Sequence, residues 1–322
     1  MALGALLIAL FPKVWTILIG QVLIGGASSL FGPALCAISL GLVGRKMFDA
    51  RQGRNQTYSS GGNVVAAILM GLIGYFVSNR GVFFFTVCLA LPTLLSLTLI
   101  QPKEIDYNLA RGATEREADL SIKAWKLLRD RPLVVFLFCA ILFHFANAAM
   151  LPLLGEMLSK GKGGSSMMFM SACVVTTQLV ITIIASWVGK KATIWGRKPL
   201  LLAAFIALPI RGLLYTLTDN TYLLVAIQIL DGIGAGIFGV VSVLVIADLT
   251  MGTGRFNLTL GIISAAVGVG ASLSQMIAGS IVHHFGYKTG FEFLAFVALV
   301  ALGILQFFMP ETSVEKRYVG RA

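Results

Sequence analysis

Charge is what this sequence has least of. Of 322 residues only 12% are Asp, Glu, Lys or Arg, while 57% are hydrophobic. A water-soluble globular chain carries roughly 25% charged and 45–50% apolar residues. That imbalance excludes a soluble enzyme, a secreted disulfide scaffold and a nucleic-acid-binding domain. Histidine is scarce too, with His144 isolated and His283 beside His284, so no metal cluster or hydrolytic triad can be assembled. Cys36, Cys88, Cys139 and Cys173 lie far apart inside apolar stretches and read as small hydrophobes. The Gly-x-x-x-x-Gly-Lys-Ser/Thr loop of a nucleotide-driven pump is missing. So are the basic n-region and cleavage site of a signal peptide in the opening MALGALLIALFPKVW. No catalytic residue, metal or cofactor is expected, and the chain reads as a non-enzyme.

What is abundant is long apolar sequence. Ten segments can be marked, at 1–10, 14–43, 56–79, 82–101, 132–158, 167–189, 199–218, 221–248, 257–282 and 288–309. Most have the ~20 residues which, at about 1.5 Å each, cross the roughly 30 Å of a bilayer's hydrocarbon. They are continuously apolar rather than alternating, which excludes membrane strands. The expected fold is therefore all-α and polytopic, with about ten membrane segments. The first segment is anomalous, since ten residues reach only about 15 Å. The longest polar stretch, Gln101 to Arg131, separates four segments from six. Its end places Leu120, Ile122, Trp125, Leu127 and Leu128 among charges, which fits either an interfacial amphipathic helix or a solvated linker.

The net charge of +11 has its explanation in topology. Nineteen of the 25 Lys and Arg fall in the alternate loops containing Arg45, Arg54, the central stretch, Lys190, Arg197 and Arg255, and in the C-terminal tail. The opposite loops hold only Lys13, Arg80, Lys160, Lys162 and Lys288, and Arg211 lies inside a segment. Positive loops stay inside, so the central loop and C-terminus are expected in the cytoplasm of a multi-pass protein of the plasma or inner membrane. Its partners are then lipid and a small solute, with no nucleic acid, and a monomer is expected.

Self-similarity adds a second constraint. Gln21, Leu23, Gly25, Phe31 and Gly32 recur as Gln228, Leu230, Gly232, Phe238 and Gly239, a constant offset of 207. Gly53-Arg54 and Gly254-Arg255 each read as preceding a segment. Two six-helix halves in parallel repeat produce this pattern. By the same offset residue 1 falls within the seventh segment, so about 76 residues of the first half are expected to be missing from this sequence. Restored, the protein would have twelve helices.

Gly189-Lys-Lys-Ala-Thr193-Ile-Trp-Gly196-Arg197-Lys198-Pro199 resembles the loop signature Gly-x-x-x-Asp-x-x-Gly-Arg-Lys/Arg of the major facilitator superfamily, with Thr193 at the acidic position. The stretch from Gln21 to Gly32 resembles that family's fourth-helix motif, with Gln21 where an Arg normally stands. The resemblance runs from helix three onward and implies a major facilitator fold whose first half is incomplete. It divides the chain into a truncated N-terminal half at 1–101, a cytoplasmic loop at 102–131, a six-helix half at 132–310 and a cytoplasmic tail at 311–322. It further implies a substrate site between the halves and alternating access by rocking. Helix five lacks the Gly-Pro pair of the family's antiporters, having Gly62, Gly71 and Gly74.

Ionisable and polar groups inside spanning segments are functional candidates. Asp231 stands first, with Ile24 at its repeat position, and Arg211 lies at a depth where the two can pair. His144 and Asn147 are three residues apart and share a helix face. Gln178, Asn63, Gln21 and Gln275 are neutral polar groups in segments that the resemblance makes pathway-lining. Gly189, Gly196, Arg197 and Lys198 form the loop motif, and Asp248 is placed to pair with Arg255. The expected function is secondary active transport of a small solute, export ahead of uptake, with proton coupling open. The alternative is a non-transporting truncated or receptor-like membrane protein.

Overall fold

The computed structural model describes residues 1–113, 129–162 and 166–313. The amphipathic stretch around Trp125 and the basic tail lie outside the described residues. Within them the chain is helical throughout. The elements are α1 (Ala2–Leu10), α2 (Val14–Phe76), α3 (Asn79–Cys88), α4 (Ala90–Thr98), a 3-10 turn (Pro102–Glu104) and α5 (Tyr107–Ala110). After the central stretch come α6 (Arg131–Ala148), α7 (Met150–Lys162), α8 (Ser166–Trp195), α9 (Arg197–Leu214), α10 (Thr221–Leu249) and α11 (Phe256–Phe308). In hydrocarbon every backbone N–H and C=O must be satisfied within the chain, and uninterrupted helix does this. Among the described residues, six helical runs are long and apolar enough to cross a membrane.

Two of those runs are each a pair of helices joined by a single residue. The 63 residues of α2 would extend about 95 Å if straight, but the helix breaks at Gly44 (φ 68°, ψ 172°). α11 breaks likewise at Gly286 (φ 86°, ψ 169°), and Gly196, between α8 and α9, has φ 93° and ψ 171°. All three occupy a backbone region open essentially to glycine alone. The ten expected segments are therefore all present as helices. The third begins at Arg45, directly after Gly44, rather than at residue 56. Gly53-Arg54 consequently sits inside a helix and does not precede one, unlike Gly254-Arg255 ahead of α11.

The repeat is visible in three dimensions. The helix starts at Val14 and Thr221 are themselves 207 residues apart. At the repeat equivalents of Arg211 and Asp231 stand Gly4 and Ile24. A Cβ built on Gly4 would come within 2.9 Å of Ile24 Cγ1 and 2.6 Å of Gly20 O. One helix pair is thus held by close apolar contact, its counterpart by opposite charges.

The basic end of the bundle gathers Gly44, Gly196, the turn at 250–255 and residues 309–313. The start of the central stretch runs across this end. Asp106 N donates to Gly41 O (3.1 Å), while Gly112 O and Arg111 O accept from Gly252 N (2.8 Å) and Phe256 N (3.1 Å). α2 and α8 join the two groups of helices along a seam of small residues. A Cβ on Gly53 would meet Ala185 O at 2.6 Å, and one on Gly189 would meet Asp49 O at 2.6 Å. One turn further along, Thr57 Oγ1 and Ser186 Oγ are 2.8 Å apart. Gly61 reaches only ordinary contact with Thr182 at 3.6 Å, and Gly62 and Gly71 meet nothing within 4 Å. The seam is tight at the basic end and loosens away from it.

Candidate functional site

Three features make up the candidate site. The first is a buried polar network inside the bundle. Arg211, 1% exposed, is ion-paired through Nη1 with Asp231. The same nitrogen donates to Asn147 Oδ1 at 2.6 Å, and Nε donates to Tyr215 Oη at 3.0 Å. Thr177 Oγ1 donates to Asp231 Oδ2 at 3.1 Å. Gln228, fully buried, donates from Nε2 to Tyr215 Oη at 2.6 Å. Four helices, α6, α8, α9 and α10, are tied together by this one cation and its partners. Buried charge is tolerable only when paired and hydrogen-bonded in this way.

The second feature is a pair of adjoining cavities. One, of about 660 Å³, lies between the helix groups and includes Cys36, Gln52, Asn55, Gln56 and Ser59 from α2, with Gly239 and Ser264 from the other side. The other, about 310 Å³, is lined by His144 and Asn147 of α6, Phe238 and Ser242 of α10, and Ser264 of α11. They share Gly239, Val243, Leu260 and Ser264. His144 is packed edge-on against Phe143 and Phe238, at ring-centroid distances of 5.6 and 5.1 Å.

The third feature closes the basic end. Arg45, Asp49, Arg197 and Asp248 form a ring of alternating charges. Asp49 accepts from Arg45 Nη1 at 3.0 Å and pairs with Arg197 Nη2 at 2.7 Å. Asp248 pairs with Arg197 Nε at 2.9 Å and with Arg45 Nη2. Arg197 also donates to Ala192 O at 2.6 Å. Glu311, beyond α11, caps the start of α9 by accepting from Arg197 N (2.8 Å) and Lys198 N (3.1 Å), where a helix dipole favours a carboxylate. Lys198 Nζ donates to Gln306 O at 2.8 Å.

The ring accounts for the loop motif's departure at Thr193. Thr193 Oγ1 donates to Asp49 Oδ2 at 3.0 Å, so the carboxylate that the loop lacks comes from α2 of the other helix group. The motif's glycines divide their work, which differs from a tight turn built by both. Gly196 makes the turn, whereas Gly189 stays helical in α8 and gives α2 its close approach. Asp248 is held by Arg45 and Arg197, two partners on other elements, instead of by Arg255 as expected from its sequence neighbourhood.

Of the residues singled out by sequence, the structure brings Asp231, Arg211 and Asn147 into contact and sets His144 beside them on the cavity wall. Gln178 follows Thr177 on α8, but its own buried Oε1 has no hydrogen-bond partner among the described residues. Gln275 donates to Ala148 O at 2.8 Å. Asn63 and Gln21 sit on exposed faces of α2, apart from the network. Tyr215, Thr177 and Gln228 were missed as network members. Tyr215 follows Arg211 by four residues and Gln228 precedes Asp231 by three, so helical spacing from each charge points to both. The ring partners Arg45 and Asp49, also missed, carry the same i, i+4 signature. The cavity's Gln52 and Asn55 were hidden because their stretch reads as a basic loop, and Gln56 because it opens the next apolar segment.

A polytopic helical bundle whose two groups of helices enclose a cavity and meet in a small-residue seam and a charged ring has the architecture of a membrane protein, and its similarity to known proteins places it among transporters. Residues 1–208 and 163–321 match the family model of the Major Facilitator Superfamily. MFS-type transporters from two strains of Mycobacterium tuberculosis, both described as uncharacterized, are each 43% identical over 314 residues, which is 96% of this chain and 75% of theirs. The class B tetracycline resistance protein of Escherichia coli is 30% identical over 138 residues, 42% of this chain and 33% of that protein. Among solved structures, the human organic anion transporter MFSD10 (TETRAN) superposes with a TM-score of 0.66 at 16% identity, over 95% of this chain and 74% of that one. The chain belongs to the major facilitator superfamily and is an integral, multi-pass membrane protein of the transporter class.

Proposed function

We propose that this protein is a secondary active transporter that moves a small solute by alternating access, in the direction of export. The observation that carries the reading is the gradient in packing between the two helix groups. The Gly53–Gly189 crossing and the four-charge ring shut the basic end, while a cavity of about 660 Å³ lies between the groups. In this reading residues 1–101 and 132–310 are the two moving halves, 102–131 the connecting loop, and the basic end, with the tail at 311–322, faces the cytoplasm. The solute enters or leaves the cavity from the far side while the ring is closed. Rocking about the seam separates Asp49 from Thr193 and Arg197 and exposes the cavity to the cytoplasm. On opening, each arginine keeps the acid of its own half and loses the one across the gap, so neither charge is stranded in either state, as a switching interface requires. Export is supported by the partial likeness to the tetracycline resistance protein. A proton-linked cycle draws on Asp231, the acidic group of the buried network.

The test is flux in proteoliposomes carrying an imposed proton gradient, across a panel of small solutes. Saturable flux abolished by cross-linking α2 to α8 through cysteines replacing Thr57 and Ser186, whose hydroxyl oxygens are 2.8 Å apart, is expected. A folded protein that moves nothing in the panel, or whose flux ignores the cross-link, refutes the proposal.

A further inference from the structure

We infer that the 310 Å³ chamber beside the buried network is a head-group site for a solute bearing an sp² oxygen, a carboxylate or carbonyl, on an apolar body, and that it discriminates against organic cations. The inference rests on the transporter reading for its biological sense but on the chamber's chemistry for its content. Asn147 fixes the polarity. Its Oδ1 accepts from Arg211 Nη1 at 2.6 Å, and a guanidinium can only donate, so the amide orientation is not free. Nδ2, with two N–H donors, is left for the other side and has no hydrogen-bond partner among the described residues. Asn147 lines the chamber.

The remaining polar groups of the wall can each donate to an oxygen as well as accept, and none of them carries a negative charge. His144, one turn before Asn147, lines the same chamber, and its ring nitrogens make no hydrogen bond among the described residues. Ser242 and Ser264 contribute hydroxyls from α10 and α11. No carboxylate lines the chamber. The nearest acid of the network, Asp231, is already committed to Arg211 and Thr177. The two acids of the charged ring are committed to Arg45, Arg197 and Thr193. A cation entering this space would shed water and gain no opposite charge, which is costly in a low-dielectric site. An oxygen acceptor would find a donor whose direction is set before binding. Phe143 and Phe238 supply the apolar wall, and the volume lies within the range of small-ligand pockets.

Three probes with one bicyclic body separate the possibilities: 2-naphthoate, 2-naphthamide and 2-naphthylmethylammonium, titrated calorimetrically against the full chain in lipid nanodiscs. The two oxygen-headed probes are expected to bind about tenfold or more tightly than the ammonium, as sites built around a polar partner discriminate. Asn147→Asp keeps an oxygen toward Arg211 and replaces the donor by an acceptor, so the preference should reverse. His144→Phe retains the edge contacts with Phe143 and Phe238 and should weaken the oxygen-headed probes alone. Should Asn147→Asp fail to fold, the paired Ser242→Ala and Ser264→Ala substitutions carry the test by the same selective loss. Ammonium bound as tightly as naphthoate, a preference that survives these substitutions, or no binding of any probe overturns the inference. Counterflow in proteoliposomes separates the two readings. Oxygen-selective binding without flux upholds the site and refutes transport, whereas flux of the ammonium probe upholds transport and refutes the site.

Discussion

Removing the negative charge of Asp231 should damage this protein more than removing the positive charge of Arg211. Arg211 is 1% exposed and relies on Asp231, Asn147 and Tyr215. A guanidinium stays protonated in proteins, so Asp231→Asn leaves a buried cation with only neutral partners. Breaking a buried pair from one side costs about 3–5 kcal/mol, or roughly a 100- to 4,000-fold fall in the folding equilibrium at ~1.4 kcal/mol per tenfold. Arg211→Gln leaves Asp231 with its Thr177 bond and a side chain 11% exposed. A stranded carboxyl can also take up a proton, an escape open to it and closed to arginine. That single variant should lose less, by about 1–3 kcal/mol, the usual penalty of an unsatisfied polar group. The double variant Asp231→Asn/Arg211→Gln carries no charge and should recover to within about 1 kcal/mol of wild type. The assay is the midpoint of reversible unfolding in mixed micelles for all four proteins, checked by monodispersity. A ranking in which Arg211→Gln is the most damaged, or a double variant worse than both singles, would refute the reasoning. The same proteins in proteoliposomes then separate structure from coupling, because normal proton-driven flux in the double variant removes Asp231 from the proton pathway.

The seam and the ring make their own predictions. Gly53→Val places carbon where Ala185 O lies 2.6 Å from even a Cβ, so a spin-label pair on Met47→Cys and Ile194→Cys should move apart; an unchanged distance distribution contradicts closure by glycine contact. Arg197→Gln leaves Asp49 and Asp248 to share Arg45. Labelling of Ser313→Cys, at a position 2% exposed, should then rise about tenfold, equivalent to ~1.4 kcal/mol in local opening, and an unaltered rate would show that the ring is no latch. Asn55 and Asn257 both stand in glycosylation sequons, but Asn55 donates to Ser39 Oγ at 2.8 Å within α2, and both lie toward the basic end. Neither should acquire sugar in a eukaryotic host, and an endoglycosidase-sensitive mobility shift on either asparagine would reverse the assigned orientation.

The apolar runs were sufficient to locate the ten helical segments found among the described residues, because hydrocarbon enforces continuous helix wherever the sequence is continuously apolar. Hydropathy fails where a helix leaves the hydrocarbon. Residues 45–55 are helical yet carry Arg45, Lys46, Asp49, Arg51 and Arg54, and nothing in their polarity separates a charged helix end from a loop. Lys190 and Lys191 on the end of α8 concealed the same extension to Trp195. The pairing of Arg211 with Asp231 was readable from depth along the chain, since both helices start from a short turn. The Asp49–Arg197 contact was not readable, because 148 residues separate partners whose meeting depends on how the two helix groups dock. Gly53 and Gly189 carry no local sign of their role either. A glycine that admits a neighbouring helix and one that faces open space, as Gly62 does with nothing within 4 Å, are identical in sequence.

The single-glycine turns at residues 44, 196 and 286 have a kinematic consequence. A connection of one residue leaves two adjoining helices almost no independent freedom, so the arms of α2, the α8–α9 pair and the arms of α11 must each travel as a stiff hairpin. Among the described residues, rearrangement of the bundle is then expected at the longer joints, such as 11–13, 215–220 and 250–255. Asp49 and Arg197 each sit within five residues of such a stiff corner, where the lever arm is rigid and little motion is lost to bending. Displacement of one hairpin is thereby delivered to the charges at its tip almost undiminished, and the chain acts as a linkage of stiff bars with few hinges.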